Sequence, residues 1–212
     1  MTTDQTFDQA LKAIAGDIET IGDRIQEQVS GQTDQGAPIE GYACQRGTHQ
    51  YTIVGSPVWE FFRIGYEYDA IQDEAVAVAA REAIEAGETG EVDIEITETM
   101  LQDARQRLVD RSDADTGTDL RLELIKWLSQ PDCALDLRTD DQNRPLGFEL
   151  TRKLFVYDGG VTPTALNRAV QTVVSLGLTG SQIMSERLGI EEIESTTPEM
   201  VDNKETGTRM FQ

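Results

Sequence analysis

Apolar residues open the chain at a helical spacing. Phe7, Leu11, Ile14, Ile18, Ile21 and Ile25 recur at steps of four, three, four, three and four. That period predicts one long amphipathic helix over residues 4–29, with Thr3 or Asp4 capping its first turn. Gly16 and Gly22 fall off the seam and each lowers intrinsic helix stability by about 1 kcal/mol, so the helix needs a surface to pack on. Two surfaces fit: the protein's own sheet, or a partner that makes the seam a dimer or docking helix. The stripe is narrower than a usual core-facing one, which favours an intermolecular role.

Downstream the period changes. Residues 31–40, GQTDQGAPIE, have the composition of a linker. Strands are predicted at Tyr42–Arg46, Gln50–Val54 and Trp59–Tyr68. In the last, Phe62, Ile64, Tyr66 and Tyr68 alternate with Phe61, Arg63, Gly65 and Glu67. A helix over 73–86 ends at Gly87. Two more are predicted over 97–111, capped by Thr97 and carrying Met100, Leu101, Ala104 and Leu108, and over 119–129, with Leu120, Leu124, Ile125 and Leu128 on its apolar face. Strands at Cys133–Thr139 and Leu146–Tyr157 flank a turn at 140–145. A helix over 163–176 starts with Thr162 as cap and Pro163 at N1, and a shorter one covers 181–188. The polar stretch after about residue 190 has no period and is predicted to be disordered. These elements describe an α+β protein of two related helix–antiparallel sheet–helix units, 1–92 and 93–190, with a tail over 191–212.

The relation between the units rests on a match. FRIGYEYDAIQDEAVAVAAREAIEAG, from Phe62, aligns with LTRKLFVYDGGVTPTALNRAVQTVVSLG, from Leu150. Tyr68-Asp69 meets Tyr157-Asp158. After one extra Gly, Val76, Ala79, Ala80, Ala83 and Ile84 meet Leu166, Ala169, Val170, Val173 and Val174, and Gly87 meets Gly177. The matched positions are those a helix buries, so the similarity concerns packing. It reads as a tandem duplication, or as two ordinary amphipathic helices alike by chance.

The stretch LGFELTRKLFVYDGGVTPTALNRAVQTVVSLG resembles type III secretion chaperones and the related YbjN-like proteins. It has a long strand ending in an aromatic-acidic step, a Thr-Pro helix start, and a helix of small and branched residues. The likeness covers residues 133–188 and extends over 1–87. It implies an α+β fold, dimerisation, and a sheet or groove that holds a segment of another protein. It brings no catalytic residues. The helices over 97–129 depart from a single-copy chaperone and fit two copies fused into a pseudo-dimer.

Charge narrows the habitat. The 212 residues carry 39 acidic and 18 basic side chains, a net charge of −21, and only four of the basic ones are Lys (Lys12, Lys126, Lys153, Lys204). Such self-repulsion destabilises a compact state in dilute buffer. It is screened within about 3 Å at 1 M salt. The composition resembles that of salt-in halophiles such as haloarchaea. It also disfavours nucleic acid and anionic membranes as partners, because no basic patch collects phosphates. The first residues lack the basic and apolar blocks of a signal peptide, and no apolar run is long enough to span a bilayer, so a cytoplasmic protein is expected.

The side chains that carry chemistry are sparse. His49 is the only histidine. It sits in a hairpin, a poor place for a triad. Cys44 and Cys133 form no metal-ligand spacing and read as free thiols or a disulfide. No phosphate-loop, dinucleotide or zinc-protease motif occurs. The expectation is therefore no enzyme, no cofactor and no metal, but a protein-binding module, chaperone- or adaptor-like. Its contact residues would be Phe7, Leu11, Ile14, Ile18, Ile21 and Ile25 on the seam and Trp59, Phe61 and Phe62 on the sheet. Phe61 and Phe62 point to opposite faces of a strand, so one of them is a candidate for an uncovered ring. Two alternatives stand beside this. One is a ligand sensor or enzyme using Arg63, Arg152, Asp69 and Asp158 at the sheet ends. The other is a structural subunit of a larger assembly.

Overall fold

One antiparallel sheet organises the chain. The computed structural model describes residues 3–33, 35–86, 96–111, 114–155 and 161–190. In order they form α1 (Thr3–Thr20), β1 (Arg24–Gln32), β2 (Pro38–Arg46), β3 (His49–Gly55), β4 (Phe61–Asp69), α2 (Ala70–Glu85), α3 (Glu98–Arg111), α4 (Ala114–Leu128), β5 (Cys133–Thr139), β6 (Pro145–Phe155) and α5 (Pro163–Leu188). The strands run β1-β2-β3-β4-β6-β5 across the sheet. β4 and β6 pair from Phe61 opposite Phe155 to Asp69 opposite Gly147. The halves expected at 1–92 and 93–190 thus share one sheet and one core.

The first helix is shorter than its seam suggests. α1 stops at Thr20, Gly22 turns the chain at φ 84°, and Ile25 enters β1 opposite Cys44. Only glycine adopts that backbone angle without strain, so the residue that looked like a weak point inside a helix is the signal that ends it. Residues 31–40 are no linker: they span the end of β1, a turn closed by Thr33 N–H donating to Ala37 O at 2.8 Å, and the start of β2.

Alternation then sorts the strands. Phe62, Ile64, Tyr66 and Tyr68 on β4 share a buried face with Leu146, Phe148 and Leu150 on β6. α1, α4 and α5 cover that face through Leu11, Ile14 and Ile18, through Leu120, Leu124 and Leu128, and through Leu166, Val170, Val173 and Met184. Asp69 ends β4 and caps α2, its Oδ1 accepting from Ile71 N at 2.9 Å. Glu74, fully buried on α2, is held by both Nη atoms of Arg111 at the end of α3, and Arg111 also donates to Gly189 O at the close of α5.

α5 is one helix of 26 residues, not the two expected. Gly177 and Gly180, read as a break, lie within it. A Cβ at Gly177 would stand 2.3 Å from the Tyr66 ring, and one at Gly180 2.6 Å from the Phe148 ring. The missing side chains let the helix backbone sit on the sheet. Tyr157, Asp158, Gly87 and residues 191–212 fall outside the described residues. The Tyr-Asp step of the second copy and the expected tail lie there.

Candidate functional site

The seam residues are occupied by the protein itself. Leu11, Ile14 and Ile18 are buried in the core, and Phe7, Ile21 and Ile25 pack against it half-buried. Their side chains face the molecule's own sheet, the first of the two surfaces considered for them, which corrects their expected intermolecular role. The adjacent aromatics divide. Phe62 is buried and stacks on Phe7 with ring centroids 6.0 Å apart, while Phe61 points to the other face.

There Phe61 is the centre of a half-exposed aromatic cluster. Trp59 stacks on it at 5.3 Å, Phe155 meets it edge-on at 5.8 Å, and Lys153 Nζ lies 4.6 Å from its ring centroid. Strand register explains the gathering. Phe61 is opposite Phe155, and Lys153, two residues earlier on β6, emerges on the same side. The turn before β4 supplies the rest. Trp59 N–H donates to Ser56 O at 3.0 Å, which holds Val58 outward at 68% exposure and brings Trp59 down onto Phe61. Phe155 is 47% exposed. Further along this face the charges are mixed. Arg63 lies 3.6 Å from Glu149, and Arg138 pairs with Glu67 at 2.5 Å and lies 3.9 Å from Asp69.

This surface can stack, bury apolar side chains and attract a carboxylate through Lys153. Sequence reasoning placed Trp59 and Phe61 but missed Phe155 and Lys153. They lie more than ninety residues downstream, and only the β4–β6 register joins them to the cluster.

The residues of the ligand-site alternative are not gathered. Asp69 caps α2, whereas Arg63 stands six residues back along β4, about 20 Å away at strand rise. Arg152 lies opposite Ile64 on the helix-bearing face and reaches Asp132 at 3.4 Å. Asp158 is outside the described residues. His49 begins β3 at the hairpin, 3.5 Å from Thr48 Oγ1. Both cysteines are free. Burial pushes the Cys44 thiol up to about 12 and also raises Cys133.

Asp23 is the most heavily engaged buried carboxylate of this half. It accepts from Tyr51 Oη at 2.5 Å and from Arg46 Nε at 2.8 Å, which staples the turn after α1 to β2 and β3. Its acceptor positions are filled by the fold. Among the described residues no cluster of three or more His, Cys, Asp or Glu is placed to hold a metal, and no helix is long and apolar enough to cross a membrane.

No protein-family model matches the chain, and no curated protein does. The fold is similar to the crystal structure of an uncharacterized protein from Methanothermobacter thermautotrophicus, with a TM-score of 0.57 and 12% identity over 85% of this chain and 99% of that one. At such identity the likeness shows the fold alone.

Proposed function

We propose that the protein is a non-enzymatic binding module of a halophilic cytoplasm, which holds a segment of another protein against the cluster of Trp59, Phe61 and Phe155. The single observation behind this reading is that half-exposed aromatic cluster, set on the sheet face opposite the helices with a Lys ammonium over its central ring. Aromatic anchors of this kind carry most of the energy where proteins meet. The net charge of −21 adds weight to the Lys153 cation. A segment pairing an apolar or aromatic side chain with a nearby carboxylate is the complementary ligand. The resemblance to type III secretion chaperones and YbjN-like proteins points the same way.

The test is affinity capture from an extract of the source cells in high salt, read by quantitative mass spectrometry. Trp59→Ala with Phe155→Ala is compared with wild type and with Ile84→Ser, a control at an exposed position on α2. Loss of two anchors lowers affinity by roughly 30-fold or more. The double variant should lose a protein that wild type and control retain. If all three capture the same proteins in the same amounts, the cluster is not the contact surface.

A further inference from the structure

The two free edges of the sheet differ. β1 is interrupted by a bulge between Ile25 and Glu27. Bulges are one means by which edges avoid pairing. β5 stays regular from Cys133 to Arg138, and among the described residues nothing pairs with its outer side. Beside it runs a groove of about 360 Å³ between β5 and α4, lined by Leu135 and Leu137 on the strand, by Arg121 and Ile125 on the helix, and by Ser129 just after it. The helix flank above is apolar and wet: Leu122 is 61% exposed and Ile125 40%. Ile125 was expected with Leu120, Leu124 and Leu128 on the buried stripe, but it stands on the rim of the groove.

We infer that β5 and the outer flank of α4 form a self-complementary interface, at which a second copy of this chain pairs β5 against β5 about a two-fold axis through Leu135. This inference is independent of the aromatic cluster, which lies on the other face. The register follows from chemistry. An axis perpendicular to the sheet keeps the helices of both copies on one side and makes the strands antiparallel, so each residue faces one of the same orientation. Centred on Leu135, the pairing sets Leu135 against itself, Cys133 against Leu137, and Asp132 against Arg138 in both directions. Asp132 is 74% and Arg138 45% exposed, and to meet across the seam each exchanges its partner within the chain, Arg152 for Asp132 and Glu67 for Arg138. Centred on Asp136, it would set that carboxylate against its own copy, which is repulsive, and centred on Leu137 it would set Leu135 against Thr139 and lose the apolar match of Cys133 with Leu137. In the favoured register Leu122 and Ile125 of each α4 approach their counterparts above the joined strands, and six strands become twelve.

The experiment is size-exclusion chromatography with light scattering on the full chain in roughly 2 M KCl, where charge acts over only a few Å. Wild type should elute at twice the 23.5 kDa of one chain. Leu122→Asp should elute as a folded monomer, with a circular-dichroism melting curve like that of wild type. Asp132→Arg alone opposes two Arg, and Arg138→Asp alone opposes two Asp, so each should dimerise roughly tenfold more weakly. Mixed in equal amounts, the two variants should dimerise with each other at near wild-type strength, because every cross-strand pair then joins Arg to Asp. A wild-type monomer, a dimer indifferent to Leu122→Asp, or a mixture no stronger than its components would overturn the inference.

Discussion

Two glycines, both inside helices, should respond to the same substitution with opposite sign. Gly16 lies on the exposed face of α1, and nothing stands within 4 Å of where a Cβ would be. Gly16→Ala therefore gains helix propensity without a clash, about 1 kcal/mol. Gly177 faces the sheet. Its Cβ would stand 2.3, 2.4 and 2.7 Å from Cδ1, Cγ and Cε1 of Tyr66, where real contacts do not fall below 3 Å. The ring cannot swing aside. It is 8% exposed and stacked 6.2 Å from Phe148. Relief requires α5 to lift from β4, an overpacking cost of about 3 kcal/mol. Set against the same propensity gain, this leaves a net loss of about 2 kcal/mol. For a chain of this size the melting temperature should fall by about 4–8 °C for Gly177→Ala and rise by about 2–4 °C for Gly16→Ala. Thermal and urea unfolding at fixed KCl measure both. Tyr66→Leu should restore part of the loss in the double variant, a coupling expected only of residues in contact. If Gly177→Ala stabilises as Gly16→Ala does, or if its loss simply adds to that of Tyr66→Leu, the close approach of α5 is wrong.

Other expectations follow from the polar and charged groups. Burial alone would raise the Asp140 carboxyl, but hydrogen bonds from the Arg144 side chain and from the backbone of Arg144 and Gln142 hold it below the usual 3.8. A lowered folded-state value means the stabilisation is complete above pH 3.8 and is lost as pH falls through the lower folded value. Asp140→Asn should flatten that limb of an acid-unfolding curve and cost about 3 kcal/mol at pH 7, because it deprives a buried Arg144 of its carboxylate; an unchanged limb would refute this. Cys133 should react with iodoacetamide at pH 8 while Cys44, its thiol pushed up to about 12 by burial, reacts only after unfolding; peptide mapping that finds equal labelling would be decisive against it. The melting temperature should rise between about 0.2 and 2 M KCl as screening relieves the charge of −21, and a flat salt dependence would contradict the halophilic reading.

Much of the sheet was legible because its signals are local. Alternation in Phe62–Tyr68 and the Thr162-Pro163 helix start each act over a few residues; β5 and α5 begin at the residues expected of them, β3 one residue earlier and β4 two residues later. Two misreadings share one cause, the ambiguity of glycine. At Gly22 it ends a helix through a positive φ, and at Gly177 and Gly180 it lets a helix approach the sheet, yet in the sequence both look like weak points within periodic segments. Ile25 and Val29 in β1 also keep a four-residue spacing that suits a helix, and the bulge removes the strand's alternation. The candidate site was half legible. The parity of Phe61 and Phe62 separates core from surface within one strand. That Phe155 and Lys153 join Phe61 depends on a register between strands distant in the chain.

The pairing of β4 with β6 also sets the order in which the chain must assemble. Ile53 meets Ile64 after 11 residues, whereas Ile64 meets Arg152 after 88. That loop is eight times longer, and three doublings add about 2 kcal/mol of closure entropy. The meander β1–β4 therefore closes through short hairpins first, and β4 waits as a temporary edge with Phe61, Arg63 and Gly65 on one side and Phe62, Ile64 and Tyr66 on the other. On a ribosome that wait lasts for the synthesis of some ninety residues, about 5–20 s. During that time the strand that becomes the middle of the sheet is the one most open to pairing with a wrong neighbour.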